Sequence, residues 1–251
     1  MGWPADIPAS AHVFVALAAE LTDTVEVAGE DGRHLARVLR LRAGETVTVA
    51  DGCGTWRPYR VAEVPPAGAV RLEATGGPDQ EPVSSSRLAV AFALTKGDKP
   101  DLVVQKLTEL GVDRILPVVA ERSVSRPQAD RAKAAVERWR RVAREAARQC
   151  RRATLPIVED VMPLDRLAGH PGLVVADRGG LPVDALGPTP GGEVIVVVGP
   201  EGGLTDDEVK RLSPWARLDL GPHILRAETA AIAAAAVLTG RRHRPGGPPR
   251  G

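Results

Sequence analysis

The chain has 251 residues, 43% of them hydrophobic and 26% charged, with a net charge of +1, the composition of a globular protein of one large or two ordinary domains. Its two cysteines, Cys53 and Cys150, lie far apart in the chain, which excludes a disulfide framework and a paired-cysteine zinc site, and no metal is expected. No apolar run approaches the ~20 residues of a membrane span, and the start MGWPADIPAS lacks the regions of a secretion signal, so no membrane partner and a cytoplasmic location are expected.

The first stretch alternates short apolar runs with turns. HVFVAL, GETVTVADG, WRPYRVAEV and AVRLEAT, broken by Gly and Pro, predict strands that close into a small β-barrel over 1–76. Among them RHLARVLRLR, residues 33–42, has five Arg/His and no acid. There Leu35, Val38, Leu39 and Leu41 are expected to pack inward, leaving Arg33, Arg37, Arg40 and Arg42 in water. GPDQEPVSSS, residues 77–86, has the composition of a linker.

Beyond it, strands alternate with helices over 87–245. RLAVAFAL, KPDLVVQKLTELG, RILPVV, a long basic helix, GLVVADR, EVIVVVG, TDDEVKRL, ARLDLG and ETAAIAAAAVLTG predict a mostly parallel sheet covered by helices. The last residues, 246–251, read as a flexible tail. Residues 121–152 hold eleven Lys/Arg against four Asp/Glu. Within them Ala132, Ala135, Val136, Trp139, Val142, Ala143, Ala146, Ala147 and Cys150 recur at helical spacing, opposite Arg138, Arg141, Arg144, Arg148 and Arg152. That arginine face is either solvated, with local pairs such as Glu137 to Arg141, or suited to a phosphate backbone.

Ligands of open α/β sheets sit beyond the carboxyl ends of the strands, where VVVGPEGGLTDDEV, residues 196–209, turns from strand to helix. Thr205 and Glu208 make a capping box that occupies the first helix amides, so a phosphate is not the expected ligand. The turn also lacks a P-loop lysine and the GxGxxG spacing. Gly199, Gly202 and Gly203 instead let bare backbone approach a flat or apolar group, unless the turn is merely tight. LGPHILRAETAAI repeats the arrangement at what is expected to be an adjacent strand end, with Arg226 and Glu228 at the mouth of an apolar helix.

These two loops together resemble the cofactor loops of the SPOUT methyltransferases, specifically the RsmE family. KGDKPDLVVQKLTELGV (96–112), ERSVSR (121–126), EAARQCRR (145–152) and RHLARVLRLRAGE with DGCG resemble the same family's pattern, and the resemblance runs in order from Phe14 to Leu238. It implies an α/β protein with an N-terminal PUA-like β-barrel and a C-terminal SPOUT α/β domain with a trefoil knot. It also implies a homodimer and methylation of N3 of a uridine in 16S small-subunit ribosomal RNA, free or within the assembled subunit. S-adenosyl-L-methionine would be held by Val198, Gly199, Pro200, Glu201, Gly202, Gly203, Leu220, Gly221, Ile224, Leu225 and Arg226.

Methyl transfer needs no protein nucleophile, and the chain shows no Ser-His-Asp or Cys-His signature. A uridine imide nitrogen is protonated at neutral pH, so Arg226 is the candidate for stabilising negative charge on the base carbonyls, with Glu228 as its orienting partner or as a base. A structural Arg226–Glu228 ion pair is the alternative. The RNA-contact candidates are Arg33, Arg37, Arg40, Lys96, Arg122, Arg144, Arg148 and Arg152, with Asp98 and Gln149 beside them. A non-catalytic ribosomal RNA-binding or assembly protein is the competing reading.

Overall fold

The computed structural model describes residues 2–65, 69–84 and 86–242. The end of the expected second domain at 245 and the expected tail lie outside the described residues. Two compact units emerge, Met1–Val83 with Arg144–Leu155, and Ser84–Ala143 with Pro156–Gly251.

In the first unit β1 (Ala11–Phe14), β2 (Thr24–Val27), α1 (Gly29–Arg33), β3 (Thr46–Ala50), β4 (Thr55–Glu63), β5 (Val70–Ala74) and β6 (Asp79–Gln80) follow one another. The strands form one sheet in the order β1-β3-β4-β5-β2, with β6 on β4; β1 runs parallel to β3 and the other pairs are antiparallel. Residues 79–80, inside the expected linker, are therefore part of the sheet. Alternation along β2 and β5 turns Val25, Val27, Val70 and Leu72 into the core beside Val47, Val49 and Tyr59.

The arginine-rich segment departs from expectation. Leu35 and Leu41 are buried as foreseen, but Val38 and Leu39 are exposed. The physical reason is local: α1 continues into a π turn, His34–Val38, whose extra residue per turn rotates the following side chains off the apolar stripe.

The second unit contains β7 (Arg87–Ala93), α2 (Lys99–Glu109), β8 (Arg114–Val119), α3 (Ala129–Cys150) as far as Ala143, β9 (Ile157–Val158), β10 (Met162–Pro163), β11 (Leu173–Leu181), β12 (Glu193–Val198), α4 (Asp206–Leu212), β13 (Ala216–Leu218) and α5 (Ala227–Arg242). Its sheet is parallel, in the order β10-β8-β7-β12-β11-β13, with β9 on β8. Runs such as VIVVV lack polar alternation because both faces are covered, Val194, Val196 and Val198 lying in one core cluster and Ile195 and Val197 in the other. Ala231, Ala234 and Ala235 are fully buried, so α5 lies close upon β7 and β12. The two glycine-proline loops were expected at adjacent strand ends, yet β11 stands between β12 and β13.

Residues 144–155, the end of α3 and the chain after it, belong to the first unit. Arg148 pairs with Asp31, and Arg144 reaches Asp31 at 3.4 Å with its guanidinium 5.0 Å above the Phe14 ring. Ala147 and Ala153 complete an apolar cluster with Phe14, Ala50 and Trp56. The buried Glu81 carboxylate accepts from the amides of Ala153 at 3.3 Å and Thr154 at 2.8 Å. His12 Nε2 donates to the Arg152 carbonyl at 3.2 Å, so its Nδ1 accepts from the Thr48 hydroxyl at 2.7 Å. Arg144 and Arg148 are thus not a free phosphate-gripping face: packing of the helix end against β1 and α1 leaves Asp31 needing a cation, and these two arginines supply it.

Candidate active site

Because the second sheet is parallel, the carboxyl ends of β7, β11, β12 and β13 lie on one side of it, and their loops build the site. Buried β12 ends at Val198, and the turn folds tightly upon itself. A Cβ on Gly199 would lie 3.1 Å from Leu204 Cγ, and Gly203, at φ +72°, donates its amide to the Pro200 carbonyl at 2.8 Å. The capping box forms as expected: Glu208 N donates to Thr205 Oγ1 at 3.1 Å and Thr205 N to Glu208 Oε2 at 2.8 Å. The other oxygen of Glu208, a residue 1% exposed, accepts from Glu121 N at 2.7 Å, so one carboxylate both caps α4 and ties down the chain after β8. In the loop after β13, Asp219 Oδ1 accepts from Gly221 N at 2.9 Å, while Gly221 takes φ +121°.

A cavity of about 320 Å³ opens between these loops. Val198, Gly199, Pro200, Glu201, Gly203, Leu220, Gly221, Ile224 and Leu225 line it; Gly202 and Arg226 do not. Gly202 faces Arg122 instead, whose Nη1 donates to the Gly202 carbonyl at 2.8 Å. The expectation missed a third wall, Val175–Arg178 in the middle of β11, where its register against β13 shifts and Asp177 pairs with Arg217 at 3.0 Å. Its signal was present in the chain: GLVVADR is followed by two glycines, the residues that let the backbone of β11 shift its register against β13. Asp177, Glu201, Asp206 and Asp219 outnumber Arg178 and Arg217 among the lining residues, which suits a cationic ligand.

Glu228 is not the partner of Arg226. Its Oε2 lies 3.5 Å from Lys99 Nζ, which also stands 3.1 Å from Glu201 Oε1. Lys99 opens α2, close enough to span the two loops, whereas Lys96 and Asp98 just before it are exposed. The hydrogen bond to Glu201, with the Glu228 charge behind it, raises the pKa of Lys99 and keeps it a cation. Glu201 is held below the usual carboxylate range by its own backbone amide and by Lys99. Arg226 is exposed and makes no side-chain hydrogen bond or ion pair among the described residues.

The remaining RNA candidates fall into two groups. Arg33, Arg37, Arg40 and Lys96 are exposed and have no side-chain partner among the described residues. Arg122, Arg144 and Arg148 are engaged as described, and Arg152 holds His12 through its carbonyl, beside an exposed Gln149. On the face of α3, Glu137 pairs with Arg140 at 2.6 Å, where the solvated-face reading offered Arg141 as its partner, and Arg138 reaches Asp101 at 2.8 Å.

A family model for the RNA methyltransferase domain matches residues 82–239, and one for the RNA methyltransferase PUA domain matches residues 27–73. The chain belongs to the RNA methyltransferase family. This decides the class in favour of an enzyme over a purely RNA-binding protein. The methyltransferase is 34% identical over 238 residues to ribosomal RNA small subunit methyltransferase E of Mycobacterium tuberculosis, spanning 88% of this chain and 90% of that protein. It is 32% identical to the Bacillus subtilis protein of the same name, spanning 88% and 91% of the two chains. Among solved structures, ribosomal RNA small subunit methyltransferase E from Neisseria gonorrhoeae bound to S-adenosyl methionine is similar at 27% identity and a TM-score of 0.79, over 92% of this chain and 97% of that one. A Legionella pneumophila methyltransferase in complex with the same cofactor is similar at 26% identity and a TM-score of 0.80, over 94% and 98%. The expected architecture, a PUA domain followed by an α/β RNA methyltransferase domain, is thereby established for the methyltransferase.

Proposed function

We propose that this methyltransferase uses S-adenosylmethionine to methylate N3 of a uridine in 16S ribosomal RNA. The observation that carries the reading is the cavity at the ends of β12 and β13 and beside the middle of β11, with bare backbone at Gly199, Gly203 and Gly221 and an excess of carboxylates. These features fit the cofactor: apolar Val198, Leu220 and Leu225 suit an adenine face, and the carboxylates suit an ammonium and a sulfonium. When bound, S-adenosylmethionine supplies an activated methyl group.

The chain's residues do the rest. Arg226, exposed and unpartnered beside the cavity loops, meets negative charge that grows on the base carbonyls as the imide proton leaves. Glu228 sits 3.5 Å from the Lys99 ammonium, so the geometry supports a role in pinning the second loop to α2 over proton abstraction. The reading includes a trefoil knot in the cofactor loops, a homodimer, and action in the cytoplasm on free or assembled small-subunit RNA.

The test is to incubate the purified protein with labelled S-adenosylmethionine and small subunits, or their RNA, from a strain lacking the gene. Nucleoside mass spectrometry should then reveal 3-methyluridine, which primer extension locates. Label on ribose or on a ring carbon would defeat the N3 assignment, and cofactor binding without transfer would defeat the enzymatic one.

A further inference from the structure

On the first unit, Val38 is 66% exposed and Leu39 44% exposed. They are not on a frayed end. The π turn carries them between two anchors, Leu35 at 0% and Leu41 at 6% exposure, with Leu39 N donating to the His34 carbonyl at 3.0 Å and Leu41 N to the Leu35 carbonyl at 3.1 Å. Arg40, next in the chain, takes a left-handed backbone at φ +52°, unfavourable for a residue with a side chain. Strained residues and π turns of this kind concentrate at functional sites. Two adjacent aliphatic side chains are thus held rigidly in water.

Arg33, Arg37, Arg40 and Arg42 surround them in sequence, all exposed and all without a side-chain partner among the described residues. Asp31, just before them, is already engaged by Arg148 and Arg144. We propose that this turn clamps an unpaired RNA base, the four arginines holding the flanking phosphates while Val38 and Leu39 cover the base face. The proposal rests on the RNA methyltransferase reading and specifies which state of RNA the first unit selects.

Charge complementarity argues for RNA: four guanidiniums without a side-chain partner among the described residues match a polyanion, and two aliphatic side chains cover about one base. A protein partner would need ~800 Å² on its side, far more apolar surface than this turn offers. A rigid apolar platform also suits the task, because an enzyme that modifies a base must take it out of its stack, and apolar side chains cover the exposed faces of such bases.

The full-length Val38→Ser/Leu39→Ser variant is compared with the wild-type protein for binding to a 12-nucleotide single-stranded RNA and to its duplex, across a salt series. Both side chains are exposed, so the melting temperature should hold. The expected result is a ~10-fold loss of affinity for the single strand, with an unchanged log-log salt slope and unchanged duplex affinity. A second variant, Arg33→Ala/Arg37→Ala, should instead lower the salt slope by roughly 1 to 2. Unchanged single-strand affinity in the serine variant overturns the clamp, as does an equal loss on the duplex. Wild-type protein that binds neither RNA also overturns the clamp, whereas the RNA methyltransferase reading falls only if incubation with small subunits yields no methyl transfer, so the two failures are distinguishable.

Discussion

His12 is 4% exposed, and burial, reinforced by the Arg151 and Arg148 cations, lowers its pKa from 6.5 to about 4, against the contrary pull of the Arg152 carbonyl. Between those values the unfolded chain binds a proton that the folded one refuses. Stability from this group is therefore complete above pH 6.5, declines as pH falls towards 4, and changes no further below, a total of roughly 3 kcal/mol. His12→Gln keeps a donor without titrating, so its melting temperature should fall less over that window than the wild type's; parallel curves would exclude the histidine as the cause. At the active site, Arg226→Ala should slow single-turnover methylation ~10²- to 10³-fold while leaving cofactor affinity and melting temperature unchanged, since the side chain neither lines the cavity nor pairs with Glu228. Lys99→Met should behave differently. It leaves the buried Glu228 Oε2 without its cation and lowers the melting temperature, and it should lower it less when Glu228 is already Gln. Additive melting shifts for Lys99 and Glu228 would dissolve the link between the loops.

Among the elements, the turn from β12 into α4 separates backbone shape from packing. Gly203 has no atom within 4 Å of a built Cβ but sits at φ +72°, so any side chain there is strained by ~1 to 2 kcal/mol while meeting no wall. Because Gly203 lines the cavity, Gly203→Val should reduce S-adenosylmethionine affinity by at least ~10-fold in calorimetry with only a modest loss of melting temperature. Gly180 is the contrast. Its Cβ would lie 2.7 Å from the Arg217 carbonyl, so Gly180→Ala should disturb the pairing of β11 with β13 and destabilise the fold. Equal melting temperatures for the two variants would contradict this division.

For the molecule as a whole, a contiguous first domain ending before residue 87 is not a complete unit. Without residues 144–155, Asp31 loses Arg148, Glu81 loses the amides of Ala153 and Thr154, and Phe14 and Trp56 lose Ala147 and Ala153. A fragment of residues 1–86 should give a poorly dispersed amide NMR spectrum, and attaching 144–155 through a flexible linker should restore dispersion. A well-folded 1–86 fragment would show that the borrowed segment is dispensable. For the same reason Arg144→Glu with Arg148→Glu should cost ~3 kcal/mol or more of stability, setting acids beside Asp31, before any effect on RNA binding can be read.

What could be read directly from the chain was whatever depends on near neighbours. The capping box of Thr205 and Glu208, the apolar face of α3 from Val136 to Ala147, the parallel alternation and the bare-backbone turns at Gly199 and Gly221 all follow from spacings of a few residues. The π turn defeated the same reasoning locally, because one extra residue in a turn moves Val38 and Leu39 off the stripe that a 3.6-residue period assigns them. Tertiary structure alone decided that β11 lies between β12 and β13, bringing Val175–Arg178 to the cavity, and that Lys99, not Arg226, holds Glu228. It alone joined Arg148 to Asp31 across 117 residues. A charge on a short motif has many partners within reach of its side chain once the chain is folded, and which one it meets is set by strand order and helix packing, quantities that no local spacing encodes.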